Sequence, residues 1–130
     1  MREAIVRSGR TPYEQNIEIG SHALVADAPL DHHGGDLGPE PHELLCAALA
    51  SCTSITLQMY AARKRWHLTR VEVRVSIEKV SDLHLLRRRI RLDGNLDASQ
   101  RERLLDIAGK CPVHATLTGN ISIESALDEP

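Results

Sequence analysis

Residues 44–62 form an uncharged run of 19 residues, and this run constrains the fold of the 130-residue chain more than any other feature. As a helix the run would be about 28 Å long, which is enough to cross a bilayer. Five of its residues are nevertheless polar, and many of the others are alanine. A helix buried on most sides in a soluble protein therefore explains the run better than a membrane span does.

Such a helix needs more apolar cover than one small chain provides. By its length the chain is a single domain, residues 1–130, and only short sheets are available to pack on the helix. A second copy of the chain would bury the remaining faces of the helix. We therefore expect an obligate homodimer that persists at micromolar concentration.

Hydrophobic alternation predicts strands on both sides of the long helix, which itself begins near Pro41 and ends around residues 63–65. Short strands are predicted at residues 4–7, 15–19 and 22–26, and long strands at 71–78 and 86–92. The remaining predicted elements are a helix at 97–109, a short helix at 112–117 and a final strand at 120–125. This order predicts an α+β fold with antiparallel sheets packed around a long central helix.

One residue interrupts the apolar face of the second long strand. Arg88 falls on the same face as Leu86, Ile90 and Leu92. We interpret it as an arginine near the edge of the sheet whose charged end reaches solvent.

Charge and aromatic content exclude several classes of partner. With 16 basic and 18 acidic residues the formal charge is −2, which disfavours non-specific nucleic-acid binding. Aromatic residues make up 2% of the chain, too few to build stacking platforms for single-stranded nucleic acid. We expect neither a nucleic-acid nor a membrane partner. The first residues lack the apolar segment of a secretory signal, so the expected location is the cytoplasm.

Three cysteines, Cys46, Cys52 and Cys111, are the candidate reactive residues. An odd number of cysteines without a secretion signal argues against a structural disulfide framework. Cys111 precedes Pro112 and is predicted at the N-cap of the short helix, where free amides and the helix dipole stabilise a thiolate. His114 could add charge there or act as a base. Cys46 is predicted in the core, and the position of Cys52 also fits a small buried side chain.

Metal binding is the competing chemistry. The chain has potential ligands, but it contains neither a CxxC nor an HxxxH spacing. The potential ligands are Asp31, His32, His33, Asp36, His42, Cys52, Cys111 and His114. The two adjacent histidines lie in a glycine-rich segment and fit a solvated loop. We therefore expect no metal and no cofactor.

Three segments of the sequence form a specific combination: GDLGPEPHELL at 35–45, AALASCT at 47–53 and KCPVH at 110–114. A cysteine in the middle of a helix after the first segment, with a Cys-Pro pair later in the chain, resembles the OsmC/Ohr family. These are the osmotically induced and organic-hydroperoxide-resistance proteins, and the chain is most similar to their OsmC-like branch. The resemblance spans nearly the whole chain and implies an intertwined dimer with its active site at the subunit interface.

The resemblance implies a thiol-dependent peroxidase that reduces organic hydroperoxides in defence against oxidative stress. In that role Cys52 would attack the O–O bond of the hydroperoxide and become a sulfenic acid. Cys111 would condense with the sulfenic acid to form a disulfide, which an external dithiol would then reduce.

The sequence departs from the family at the activation of the attacking cysteine. The hydroperoxidases carry a glutamate ten residues before that cysteine, and this position is His42 here. Glu43 is adjacent but rotated by about 100° on a helix. The family's arginine comes from the first β-hairpin, where Arg10 is the nearest match, and we predict that Arg10 approaches Cys52. His42 or Glu43 would orient the arginine, and the alternatives are Arg88, an arginine of a partner subunit, or no cation.

Two other functions stay open. The chain could be an OsmC-like protein that binds a metal or a small ligand through Cys111, His114 and the loop histidines, without peroxidase activity. It could also be a stress-associated dimer whose cysteines have no catalytic role. Peroxide treatment distinguishes them, because only the enzyme is expected to form a disulfide between Cys52 and Cys111.

Overall fold

The computed structural model describes residues 1–130, and their contacts group into two compact units, Met1–Ala47 and Ala48–Pro130. The first unit carries an antiparallel sheet in the order β1-β2-β3, made of β1 (Ile5–Ser8), β2 (Gln15–Ile19) and β3 (His22–Ala26). Gly20 begins the two-residue turn between β2 and β3 with φ of 61°, a conformation that glycine adopts without strain. The predicted three-strand meander is confirmed, and the extent of a single domain over residues 1–130 stays a prediction.

A buried carboxylate anchors the proline- and glycine-rich loop that follows β3. Asp27 is almost fully buried, and its side chain accepts hydrogen bonds from the backbone N–H groups of Ala28 at 2.8 Å and Leu37 at 3.1 Å. These bonds satisfy the buried carboxylate and fix both ends of the loop. The loop contains a single 3-10 turn, Leu30–His32. The solvated loop predicted around His32 and His33 lies in this segment, but no local pattern in the sequence indicated Asp27 as its anchor.

The uncharged run lies within α1 (Pro41–Lys64), the long helix that the sequence predicts. Proline suits the first position of a helix because its missing N–H would have no partner in the first turn. The buried residues of α1 follow one another at intervals of four and form a single stripe: Leu49, Thr53, Leu57 and Ala61.

The other faces of α1 stay open within one chain. Its exposed large apolar side chains are Leu45, Ile55 and Met59. Within one chain only the stripe of buried residues is covered, so burial of the helix on most sides, which was expected with the help of a second copy, stays a prediction. By length and composition α1 could cross a membrane, but core helices of soluble proteins also meet that criterion. The homodimer predicted to cover the open faces stays a prediction.

The second unit contains a long antiparallel hairpin of β4 (His67–Val80) and β5 (Leu83–Asn95). Both strands are predicted by the sequence and extend beyond the predicted ranges. The register places Val73 opposite Ile90 and Val75 opposite Arg88. Because alternate residues of a strand face the same side, Arg88 shares the apolar face of β5.

Two helices complete the second unit: α2 (Ala98–Ala108) and α3 (Pro112–Thr118). The predicted N-cap of α2 is confirmed, since Asp97 and Gln100 form a reciprocal capping box. The core joins α1 to α2 through a cluster of buried side chains, Leu57, Leu104, Ile107 and Ala108. Trp66 and apolar residues of β4 and β5 pack against this cluster.

The final strand predicted at residues 120–125 is absent, and this prediction is wrong. The alternating Ile121 and Ile123 are 60% and 85% exposed, and the segment carries no strand pairing. A strand forms only where a sheet edge accepts its backbone hydrogen bonds, and this segment pairs with neither open edge of the hairpin of β4 and β5. Alternating apolar residues therefore do not by themselves make a segment pair as a strand.

Candidate active site

The N-terminus of α3 binds one of the cysteine sulfurs directly. Cys111 is the N-cap residue, with extended backbone dihedrals, and Pro112 is the first residue of the helix. The Cys111 Sγ atom accepts a hydrogen bond from the backbone N–H of His114 at 3.3 Å. This is the arrangement predicted from the Cys-Pro pair, and it aims an otherwise unpaired helix amide at the sulfur.

The same helix end contacts the second cysteine. Cys52 lies on α1, and its Sγ atom accepts a hydrogen bond from the backbone N–H of Val113 at 3.5 Å. The Cys52 side chain also lies close enough to Cys111 to lower the pKa of the Cys111 thiol. Both thiols are free, but Cys111 is 0% exposed whereas Cys52 is half-buried. The structure thus brings Cys52 and Cys111 together, with Cys52 the more accessible sulfur.

Thr53 links this thiol pair to β5. Its hydroxyl accepts a hydrogen bond from Arg88 Nη1 at 3.1 Å and donates to the carbonyl of Leu49 at 2.7 Å. The Thr53 Oγ1 atom also lies 3.9 Å from Cys111 Sγ. Since a hydroxyl carries one proton, the short bond to the Leu49 carbonyl is the stronger of these two donor contacts.

Arg88 is held from a second side by the histidine of α3. Its Nη2 atom lies 3.2 Å from His114 Nδ1. A guanidinium can only donate, so Nδ1 must accept, and the proton of the neutral imidazole is then on Nε2. Protonation of His114 would remove this acceptor and place two cations side by side.

The pKa of the Cys111 thiol is lowered from its ordinary value. Burial by itself raises this pKa, because a buried thiolate loses its water. The opposing effects outweigh burial: the hydrogen bond from the His114 backbone, the nearby polar side chains of Cys52 and Thr53, and the positive charge of Arg88. The site therefore favours a negative charge on the sulfur of Cys111.

We predict that Cys111 stabilises the folded protein more at alkaline than at neutral pH. Its folded-state pKa lies below the unfolded value of about 8.5, so between the two values the folded chain binds fewer protons. The contribution to the free energy of unfolding therefore grows as pH rises through this interval, and it is lost as pH falls through the folded pKa. Urea denaturation of the wild type and Cys111→Ser under reducing conditions measures the contribution. A difference between the two proteins that does not change with pH would contradict this prediction.

Arg88 lies on an edge strand, as interpreted, but the expectation that its charged end reaches into solvent is wrong. Its guanidinium binds Thr53 and His114, and the residue is half-buried. The signal was present in the sequence, because an arginine on the apolar face of a strand must find polar partners. Thr53 gave no such signal, since a threonine in a helix commonly bonds to the carbonyl four residues earlier.

The other predicted site residues belong to the first unit. Arg10 lies exposed between β1 and β2. At the start of α1, the backbone N–H of Glu43 donates to the side chain of Glu40 and the Glu43 carboxylate accepts from the Glu40 backbone, each at 2.9 Å. His42 Nδ1 lies 3.7 Å from Glu40 Oε2. The activating roles of Arg10, His42 and Glu43 therefore stay predictions.

Cys46 differs from the thiol pair in its surroundings. Burial raises the pKa of its thiol, and the negative charges of Glu40 and Glu43 raise it further. A thiol with a raised pKa is a poor nucleophile near neutral pH.

For the metal-binding alternative, the structure contains no group of three or more His, Cys, Asp or Glu side chains placed to hold an ion.

A pocket of about 260 Å³ opens beside Arg88 and His114. Its apolar wall consists of Leu49, Leu85, Leu86 and Leu117. His84 and Thr118 complete the lining. The pocket thus combines an aliphatic wall with the two residues that connect to the thiol pair.

Comparison with solved structures shows the same fold in several proteins. The OsmC-like protein from Mycoplasma pneumoniae is 18% identical, with 92% of this chain and 88% of that chain covered and a TM-score of 0.78. The organic hydroperoxide resistance protein OsmC from Legionella pneumophila is 21% identical, with coverage of 92% and 90% and a TM-score of 0.68. The organic hydroperoxide resistance protein OhrB from Bacillus subtilis is 21% identical, with coverage of 92% for both chains and a TM-score of 0.64.

Comparison with the curated proteins found no match. Among protein families, the model described as OsmC-like protein matches residues 33–126. That match covers most of the chain, including both cysteines of the thiol pair and α3. The resemblance expected from the sequence is confirmed, and the chain belongs to the OsmC-like protein family.

Proposed function

We propose that this protein is a thiol-dependent peroxidase that reduces organic hydroperoxides in oxidative-stress defence. The observation that carries the proposal is the meeting of Cys52 and Cys111 at the N-terminus of α3. Consecutive amides of one helix end, those of Val113 and His114, donate hydrogen bonds to the two sulfurs. Two thiols held at adjacent amides of one helix end, one of them favouring the thiolate, are suited to reversible disulfide chemistry.

The accessibility of the two sulfurs assigns the attacking role to Cys52 and the resolving role to Cys111. Cys52, the more exposed sulfur, attacks the terminal oxygen of the hydroperoxide; the O–O bond breaks, the alcohol leaves and Cys52 becomes a sulfenic acid. Cys111 then attacks the Cys52 sulfur, forming the disulfide and releasing water. An external dithiol reduces this disulfide by thiol exchange and is itself oxidised. We place this chemistry in the cytoplasm, where thiols are kept reduced.

The leucine-lined pocket beside Arg88 and His114 supports an organic rather than an inorganic substrate. Its aliphatic wall can cover the hydrocarbon part of a hydroperoxide, and burial of that part contributes affinity that hydrogen peroxide cannot gain. Two of the solved structures with this fold are named as organic hydroperoxide resistance proteins.

We also propose that the protein acts as a homodimer, because the apolar faces of α1 are open in one chain. Sedimentation equilibrium at micromolar concentration should give about twice the chain mass of 14.4 kDa. A mass equal to one chain would contradict the dimer.

Stoichiometric oxidation followed by mass spectrometry tests the peroxidase proposal. One equivalent of cumene hydroperoxide should convert the reduced protein to a form lacking two hydrogens, with the peptide of Cys52 linked to that of Cys111. The Cys46→Ser variant is the matched control and should give the same product. A protein that consumes no hydroperoxide, or that forms only a disulfide involving Cys46, would refute the proposal.

A further inference from the structure

Arg88 differs from the other arginines of its strand. Arg87, Arg89 and Arg91 are exposed, and Arg87 and Arg91 form ion pairs with Glu78 and Asp93. Arg88 is half-buried, and none of the ion pairs in the chain involves it. Because no carboxylate offsets its charge, a partly buried guanidinium exerts its full electrostatic effect on the neighbouring groups.

The groups around Arg88 lead to the thiol pair. On α1 its first partner is the Thr53 hydroxyl, which lies against Cys111. On α3 its second partner is His114, whose backbone N–H binds the Cys111 sulfur. The other titratable groups that line the pocket beside Arg88 or act on the Cys111 thiol are His84 and Cys52, and neither is a carboxylate. Arg88 is thus connected to the buried Cys111 sulfur in two ways, through Thr53 and through His114.

We propose that Arg88, positioned by Thr53 and His114, is the cation that keeps the Cys52–Cys111 pair singly deprotonated, with the charge stored on buried Cys111. This inference rests on the proposed peroxidase function. It assigns to β5 the role that the family resemblance assigns to an arginine of the first hairpin. It also gives Cys111 a task before disulfide formation, as the base that takes the proton of Cys52.

The Cys52 proton moves to the Cys111 thiolate, and the Cys52 sulfur forms a bond to the terminal oxygen of the hydroperoxide while the O–O bond breaks. The departing alkoxide takes the proton from Cys111 and leaves as the alcohol, which restores the Cys111 thiolate beside the new sulfenic acid. That thiolate forms the S–S bond and expels hydroxide. Storing the charge on the inaccessible sulfur keeps the thiolate from oxidation until Cys52 has reacted.

Thiolate absorbance as a function of pH tests the role of Arg88 in a Cys46→Ser background. The first deprotonation step of the thiol pair should move up by at least about one pH unit in Arg88→Met, a tenfold change in the proton equilibrium. Arg88→Lys keeps the charge but loses the planar fork, so its shift should be smaller. Arg89→Met is the matched control, since Arg89 is the next residue of β5 and is exposed; its titration should match the parent.

The rate of hydroperoxide consumption supplies a second readout that a purely structural defect would not reproduce. Below the first deprotonation step, Arg88→Met should react about tenfold more slowly than the parent, and above its own shifted step it should regain the parent rate. A loss of rate that is independent of pH would overturn the proposal. So would an unchanged titration in Arg88→Met, or a shift produced by Arg10→Met instead.

Different results would refute the proposed peroxidase function and the proposed role of Arg88. If the parent protein consumes no hydroperoxide, the proposed function is refuted, while the thiolate titration still decides whether Arg88 acts on the thiol pair. If the parent consumes hydroperoxide and Arg88→Met titrates like the parent, the function stands and the role of Arg88 is refuted.

Discussion

Replacing Cys52 by serine should lower the rate of hydroperoxide consumption by at least about a thousandfold. The hydroxyl of serine is a far weaker nucleophile toward the O–O bond than a thiolate, and the remaining sulfur at the site, Cys111, is 0% exposed. The measurement is the consumption of cumene hydroperoxide under dithiol reductant, followed against the wild type at equal protein concentration.

Substitutions of the other two cysteines are the controls for Cys52→Ser. Cys111→Ser should still consume up to one equivalent of hydroperoxide and then stop at the Cys52 sulfenic acid, which dimedone traps. Cys46→Ser should retain the wild-type turnover. Equal turnover in Cys52→Ser and the wild type would show that a different residue attacks the peroxide.

Leu104→Ala should lower the free energy of unfolding by about 3 kcal/mol. Leu104 is 0% exposed and lies in the cluster with Leu57, Ile107 and Ala108. Removing its side chain loses the burial of the removed atoms and leaves a cavity between α1 and α2 that rigid helices fill only in part. Urea denaturation followed by far-UV circular dichroism measures the change.

Leu105 is the matched control for this substitution. It has the same side chain in the next position of α2 but is 64% exposed. Leu105→Ala should therefore change the free energy of unfolding by no more than about 0.5 kcal/mol. If Leu105→Ala costs as much as Leu104→Ala, the exposed face of α2 must be covered in solution, and the core described for one chain would be incomplete.

Local patterns predicted most of the elements because their causes are local. The alternation at residues 71–78 and 86–92, the capping pair Asp97 and Gln100, and the proline that opens α1 all act within a few residues of sequence. The failed strand at residues 120–125 has the same alternation. It fails because pairing requires a free sheet edge at the right place, and no pattern within the segment specifies one.

The sequence by itself determined the order of the elements from β1 to α3, the N-cap position of Cys111 and the family to which the chain belongs. Each depends on neighbouring residues or on short motifs that can be recognised in the amino-acid sequence. Only the tertiary structure decided which groups surround the Cys111 sulfur. Thr53, Arg88 and His114 come from α1, β5 and α3, and their meeting depends on how helices pack on a hairpin. A thiol's pKa responds to charges and hydrogen bonds within a few ångströms in space, whatever their separation along the chain.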